Sequence, residues 1–313
     1  MPCYHPVQGY RKPNGQHTPI DQDNYPRMTR PCGYCTGCRF KQQQQWTVRC
    51  LNEQTMEKKK GNTSSFITLT YNPQQLPAHA GLDYTHWQKF IRSLKKRNQG
   101  KSIRYFGVGE YGDNFGRPHF HAILFGHHFD DKIPLLGNKT KNLYKSQSLQ
   151  SAWCTSDQEP RGYVSVGDVT PESISYVCGY VQKKIYGQMQ GEHYKYIDLK
   201  TGEQTAHKPD KYQWLRAPEK AFMSRRPGIG STYYDSFHSD MYRMQNNCIH
   251  LNGKEIAVPS YYNNKFKKSN PAEWLLLQQQ KEENMREYTP EALIQHEKTF
   301  KARMSIYKRG KLK

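Results

Sequence analysis

No stretch of this 313-residue chain approaches the ~18 consecutive apolar residues that a membrane-spanning helix requires. An integral helical membrane protein is therefore not expected. The first residues, Met-Pro-Cys-Tyr-His-Pro-Val, lack a basic segment followed by an apolar one, so no secretory signal is expected either. Acidic residues are scarce: Asp and Glu total 27 against 47 Lys and Arg, a formal charge of +20. Solubility needs far less charge, and the excess points to a polyanionic partner, nucleic acid above all. Cysteine is present, but its placement excludes one use of it. Among eight cysteines, Cys32, Cys35 and Cys38 are separated by two residues each, which suits a metal in a reducing compartment better than a disulfide framework. The chain is expected in the cytoplasm. Its 23 tyrosines supply flat polar rings that stack on bases, and tyrosine is also a nucleophile.

Thiolates in Cys32-Gly-Tyr-Cys35-Thr-Gly-Cys38 can converge on one Zn²⁺, because the turns between them are tight and glycine permits them. A closed tetrahedral site needs a fourth ligand. Cys3 is the simplest candidate, with His5 or Cys50 behind it. The expected role is structural, pinning a core-poor N-terminal arm. A polar, basic helix should follow from Phe40 to about Lys60.

Ser65-Phe-Ile-Thr-Leu-Thr-Tyr71 alternates and is rich in β-formers, so it is read as the first core strand. Trp87, Phe90, Ile91 and Leu94 fall at i, i+3, i+4 and i+7, predicting a helix capped by Thr85 and packed on a sheet. Ile103 to Glu110 and Arg117-Pro-His119-Phe-His121-Ala-Ile-Leu-Phe-Gly126 are two β-runs separated by a glycine-rich turn, the signature of a hairpin. In a strand, His119 and His121 share one face and Phe120, Ala122 and Leu124 the other. The hairpin brings Glu110 close to the histidines. Two imidazoles and a carboxylate suit Mg²⁺ or Mn²⁺ with positions open for substrate oxygens.

Residues 126–162 read as a long polar connection, and Gly162 to Val169 as a further strand. Thr170-Pro171-Glu172 then supplies a cap, a first-turn proline and an acid for a helix extending to Ile185. At 100° per residue, Ile174, Val177, Cys178, Val181 and Ile185 form one apolar stripe. Tyr176, Tyr180 and Lys183 cluster on nearly the opposite side and should project outward together.

A divalent ion polarises a scissile phosphate, and a tyrosine oxygen can attack it in line, leaving a 5′-phosphotyrosine and a free 3′-hydroxyl. Two tyrosines permit two successive transfers, and Lys183, one turn from Tyr180, favours that phenolate, so Tyr180 is expected to attack first. Arg117-Pro118-His119-Phe120-His121 resembles the His-hydrophobic-His motif of the HUH endonucleases, the rolling-circle replication initiators and relaxases. Phe66-Ile-Thr-Leu-Thr70 resembles their first strand motif. Tyr176-Val-Cys-Gly-Tyr180-Val-Gln-Lys183 is similar to the paired-tyrosine motif of single-stranded DNA phage initiators. The N-terminal cysteines and Met223-Ser-Arg-Arg-Pro-Gly-Ile-Gly230 resemble the initiators of gokushovirus-like microviruses.

The resemblance implies an α+β fold with a central antiparallel sheet flanked by helices, metal and tyrosines meeting on one face. It implies site-specific nicking and joining of single-stranded DNA at a replication origin, in the cytoplasm of a bacterial host, alongside the host helicase and polymerase. Glu110, His119 and His121 then hold the catalytic Mg²⁺ or Mn²⁺. Tyr176, Tyr180 and Lys183 carry the catalysis, and Cys3, Cys32, Cys35 and Cys38 the structural zinc. Arg117, Lys184, Arg225 and Arg226 are expected on DNA; the last two sit in a glycine-rich loop suited to phosphates. Three parts are expected: a zinc-binding arm and helix (1–60), an endonuclease core (61–235) and a basic, mostly helical extension (236–313). A non-enzymatic zinc-containing DNA-binding protein is the main alternative. It explains the cysteines and the charge but leaves the tyrosine face unused. A zinc hydrolase is disfavoured because no His-Glu-x-x-His spacing accompanies the histidines.

Overall fold

The alternating run after Ser65 forms the strand Ser65–Thr70, and its burial alternates too: Ile67 and Leu69 are buried on one face, while Phe66, Thr68 and Thr70 stand on the other. The computed structural model describes all residues except 1, 14–15, 22–23, 114, 136–142, 181–183, 186–188, 244–245, 252, 285–287 and 311–313, together with the side chains of 246 and 307–310. Among the described residues, this strand lies at the centre of a seven-stranded sheet. The order is Lys220–Met223, Arg104–Tyr111, Pro118–Phe125, Ser65–Thr70, Val164–Asp168, Leu143–Lys145, Ile133–Pro134. Every pairing is antiparallel. The expected α+β architecture, an antiparallel sheet flanked by helices, is what forms.

On one face lies the helix Tyr84–Arg97. Its Trp87, Phe90, Ile91 and Leu94 are buried in one cluster with Ile67, Leu69, Phe120, Ala122 and Leu124 of the sheet. Asp83, not Thr85, caps this helix: its carboxylate accepts from the Thr85 backbone N–H at 2.8 Å and from the Thr85 hydroxyl at 2.7 Å. On the opposite face Phe106, Val108, Ile123 and Phe125 cluster with Cys50 of the helix Thr36–Lys59 and with Ile174, Val177 and Cys178 of the helix Pro171–Gly179.

Residues 126–162 are more structured than a polar connection. They hold the two outermost strands and a helix, Gln147–Ala152, capped by Ser146. Trp153 follows it, fully buried, donating its indole N–H to the Thr70 carbonyl at 2.7 Å and meeting Tyr71 edge-on at 5.3 Å. The chain passes Thr70 so closely that a Cβ on Gly162 would fall 2.2 Å from that same carbonyl. Trp153→Ala should therefore cost about 3–5 kcal/mol in denaturant unfolding and Trp153→Phe distinctly less. A loss below ~1 kcal/mol for the alanine variant would show that this segment is not part of the core.

The chain divides into two compact units, residues 1–43 with 267–313, and residues 44–266. The sheet, the helices Tyr84–Arg97 and Pro171–Gly179, and the helix Thr36–Lys59 from residue 44 onward belong to the second. In the first, a three-stranded sheet with Val7–Arg11 at its centre accompanies the helices Pro271–Glu283 and Pro290–Gly310. Glu297 ties the two ends of the chain, accepting from Thr36 at 2.7 Å and pairing with His5 at 2.8 Å, while Phe300 packs on Tyr4 and Phe40. Among the described residues no helix is long and apolar enough to cross a membrane.

Candidate metal and tyrosine site

The register of three strands decides which side chains meet. Glu110 pairs with His119, His119 with Thr70, and His121 with Thr68 and Val108. Period-two alternation then puts Glu110, His119, His121, Thr68 and Thr70 on one face. Glu110 Oε1 lies 2.6 Å from His119 Nε2 and 3.2 Å from His121 Nε2. Each imidazole is held from behind by its other nitrogen. His119 Nδ1 is 3.1 Å from the Arg117 carbonyl and His121 Nδ1 is 2.9 Å from the Thr68 hydroxyl. A carbonyl can only accept, so His119 Nδ1 carries hydrogen and its Nε2 is the nitrogen turned to the site. One donor atom from each of the three residues lies within 4.8 Å of the others. Two imidazoles and a carboxylate at that spacing fit a divalent cation, with the outer hydrogen bonds orienting the rings. Burial opposes the Glu110 charge, but hydrogen bonds from both histidines and their charge outweigh it and bring its pKa down to about 2.

Thr170 and Ser173 form a reciprocal capping box, backbone N–H to side-chain oxygen, at 3.2 and 2.9 Å, and Pro171 opens the helix. Ile174, Val177 and Cys178 are fully buried, as their spacing requires. Beyond that point the helix extent and the outward tyrosine pair differ from expectation, while Lys183 goes untested. The described helix ends at Gly179 with Tyr180 as its C-cap, rather than running to Ile185. Lys183, expected beside Tyr180, lies outside the described residues. Nor do both phenols face outward: Tyr176 is 53% exposed but Tyr180 only 8%. The cause is the histidine. Tyr180 lies parallel to the His121 ring at 5.1 Å and 9°, Phe66 lies parallel to the same ring at 5.7 Å, and Tyr176 meets it edge-on at 5.7 Å. The Tyr180 hydroxyl donates to that of Tyr176. Burial, this hydrogen bond and the Glu110 charge together raise the Tyr180 pKa well above that of a free phenol. Helix periodicity assigned faces to these tyrosines, but a ring partner on another element decides where Tyr180 turns.

The cations are placed unevenly. Arg117 is exposed beside the histidines, one guanidinium nitrogen donating to the Tyr71 carbonyl at 2.8 Å. Lys220 pairs with Gly109 but sets its ammonium 4.0 Å over the Tyr84 ring, on the face away from Glu110; its pKa is lowered by burial first and then by the charges of Lys184 and Arg225. Arg225 and Arg226 are exposed in the loop after the edge strand. Their loop starts beside Tyr105, five strand residues and ~17 Å from Glu110. The structure does not bring the backbone of these two arginines to the histidines.

Cys3, Cys32, Cys35 and Cys38 form a second donor group. Cys3 Sγ lies 3.6 Å from Cys32 and 3.8 Å from Cys35, and Cys32 lies 4.0 Å from Cys38. A tetrahedron with Zn–S bonds of about 2.3 Å has edges of about 3.8 Å, so four sulfurs at this spacing fit zinc. The other candidates for fourth ligand are engaged elsewhere: His5 pairs with Glu297, and Cys50 is buried in the core beside Cys178. Burial works against ionising Cys35, yet backbone hydrogen bonds from Cys38 and Tyr4 and the neighbouring thiols lower its pKa to about 6.

The sequence reading passed over Thr68, which orients His121, and a third donor group, Cys248, His250 and Glu255, on the hairpin of Asn246–Leu251 and Lys254–Ala257. The first had a signal, since Thr68 shares the phase of Phe66 on a strand already assigned. The second depends on a cross-strand pairing with no local motif.

Residues 64–185 match the family model described as replication-associated protein ORF2/G2P. The match begins at the central strand and ends just past the tyrosine helix, enclosing Glu110, His119, His121, Tyr176 and Tyr180. Over a longer range the chain is similar to replication-associated protein VP4 of Bdellovibrio phage phiMH2K, 27% identical over 78% of this chain and 70% of that protein. It is also similar to replication-associated protein ORF4 of Chlamydia phage 1, 30% identical over 80% of this chain and 57% of that protein. Replication-associated protein ORF2 of Spiroplasma virus 4 is 27% identical over 76% of this chain and 68% of its own length. No solved structure matches. Over most of its length the chain is thus similar to phage replication-associated proteins, and residues 64–185 are the part that matches the ORF2/G2P model.

Proposed function

We propose that the chain is a replication initiator of the HUH endonuclease type, nicking and rejoining single-stranded DNA through its paired tyrosines. The observation that carries this reading is the stacking of Tyr180 on His121 and the bond from its hydroxyl to Tyr176, which puts two nucleophilic oxygens beside a three-donor group. Glu110, His119 and His121 would hold a Mg²⁺ or Mn²⁺ ion, which would supply charge neutralisation for the scissile phosphate. The tyrosine oxygen bonds to phosphorus as the bond from phosphorus to the 3′ oxygen breaks. The phenolic proton is transferred, net, to that leaving oxygen, giving a 5′-phosphotyrosine and a 3′-hydroxyl. Rejoining is the reverse, so no external energy source is consumed.

Exposure supports Tyr176 as the first nucleophile, because Tyr180 is buried and its pKa is raised. This inverts the order that spacing from Lys183 suggested. Arg117, Lys184, Arg225 and Arg226 are assigned to the DNA backbone. The test is transfer of a labelled oligonucleotide to the protein, with and without Mg²⁺ or Mn²⁺. Tyr176→Phe should abolish the first adduct, Tyr180→Phe should spare it and block the second transfer, and the double variant should be inert. If no metal-dependent adduct forms, or the double variant still forms one, the reading falls and a DNA-binding protein without nicking activity takes its place.

A further inference from the structure

One cavity adjoins the histidine group without belonging to it. It has a volume of about 610 Å³, its floor made by Thr68, Thr70 and Ser165, with Leu135 and Leu143 forming a wall. Tyr163 and Lys145 also line it. The floor is shared with the metal-facing side of the sheet, since the Thr68 hydroxyl that lines the cavity is the one 2.9 Å from His121.

Tyr163 is its unusual member. The ring is 74% exposed, which for so large a side chain removes most of the stabilisation that burial gives. Its backbone, in contrast, is fixed. The Tyr163 carbonyl accepts from the Thr70 backbone N–H and hydroxyl, both at 2.9 Å, and the Thr70 hydroxyl accepts from the Tyr163 N–H at 3.2 Å. Thr70 pairs with His119, and His119 with Glu110. Glu110, His119, Thr70 and Tyr163 thus form one row across four neighbouring segments of the sheet, with Tyr163 two steps, roughly 10 Å, from His119. A rigidly mounted, solvent-facing aromatic ring next to a cavity with apolar walls and a hydroxyl floor has the features of a stacking platform for a base. A formal charge of +20 and the Lys145 ammonium on the cavity favour an anionic strand over a neutral ligand.

We infer that this cavity seats an unstacked nucleobase of the single-stranded substrate, with Tyr163 stacked on it, next to the phosphate at the Glu110–His119–His121 group. The inference rests on the nicking reading for its choice of ligand. Tyr163 is a positioning residue, since it acts by holding the strand and not on the reacting atoms.

Binding is separable from cutting. Fluorescence anisotropy with the full chain and a mixed-sequence single-stranded oligonucleotide, with Mg²⁺ and Mn²⁺ omitted and no chelator added so that cleavage is suppressed and the cysteine site is left intact, measures the platform alone. Tyr163→Ala should weaken binding roughly 5- to 150-fold, the range for loss of one base–aromatic stack. Tyr163→Trp should restore it to within about 2-fold. The exposed ring makes misfolding of either variant easy to exclude by an unchanged unfolding midpoint. A 5-iodouracil placed next to the nick should photocrosslink within residues 143–165. If the chain binds the strand and Tyr163→Ala binds equally well, or the crosslinks fall elsewhere, the pocket is wrong while nicking stands. If Tyr163→Ala weakens binding but no tyrosine adduct ever forms, nicking is wrong while the pocket stands. No binding to single-stranded DNA at all overturns both.

Discussion

His121→Ala should lower the yield of covalent protein–DNA adduct by about 10³-fold or more, with strand binding in the absence of added Mg²⁺ or Mn²⁺ kept within about 2-fold. Charge neutralisation by a metal contributes several kcal/mol to the barrier of phosphoryl chemistry, and each 1.36 kcal/mol is a factor of ten. His121 is also the ring on which Tyr180 lies, so the substitution removes a proposed ligand and the neighbour of a proposed nucleophile together. Thr68→Val separates the two contributions. It keeps the His121 ring but deletes the hydroxyl 2.9 Å from its Nδ1, and losses of 10- to 100-fold are usual for such supporting bonds. Mn²⁺ titration followed by electron paramagnetic resonance should rank affinity as the native chain, then Thr68→Val, then His121→Ala. Equal adduct yields from His121→Ala and the native chain would remove the histidines from the chemistry.

Loss of zinc should be the most disruptive change to the unit formed by residues 1–43 and 267–313. Structural zinc in small sites binds with an apparent 10–16 kcal/mol, comparable to the entire stability of a domain. That unit has little else to replace it. Its strands are five, two and four residues long, and the central one has a single buried position. One zinc per chain is expected at the Cys3, Cys32, Cys35 and Cys38 sulfurs by elemental analysis. Cys35→Ser or a chelator should abolish amide protection in Val7–Arg11 and Arg27–Arg30 while protection in Ser65–Thr70 and Pro118–Phe125 persists. Protection unchanged by chelation would show that the sulfurs stabilise nothing.

What the sequence disclosed and what it concealed divide along a physical line. Alternation fixed the faces of His119 and His121, and a short turn fixed their registry with Glu110, because both depend on residues near in sequence. Trp153 was hidden among polar neighbours, since its partner, the Thr70 carbonyl, lies 83 residues upstream. Tyr180 was misassigned for a similar reason: a helical wheel knows only its own helix, and the His121 ring belongs to a strand. The joining of both chain ends through Glu297 and Phe300 left no local trace either. Thr85 was a near miss of another kind, with Asp83 offering a charged acceptor two residues earlier.

That Glu110, His119 and His121 all sit on one hairpin has a consequence for the order in which the protein is made. Ribosomes deliver ~5–20 residues per second, and a hairpin closes within microseconds once both of its strands are free. The three ligands emerge within twelve residues of one another, whereas Tyr176 follows His121 by 55. For about 3–11 s the nascent chain therefore carries Glu110, His119 and His121 without Tyr176. On the proposed reading, a growing chain can gather its ion before it acquires the means to cut.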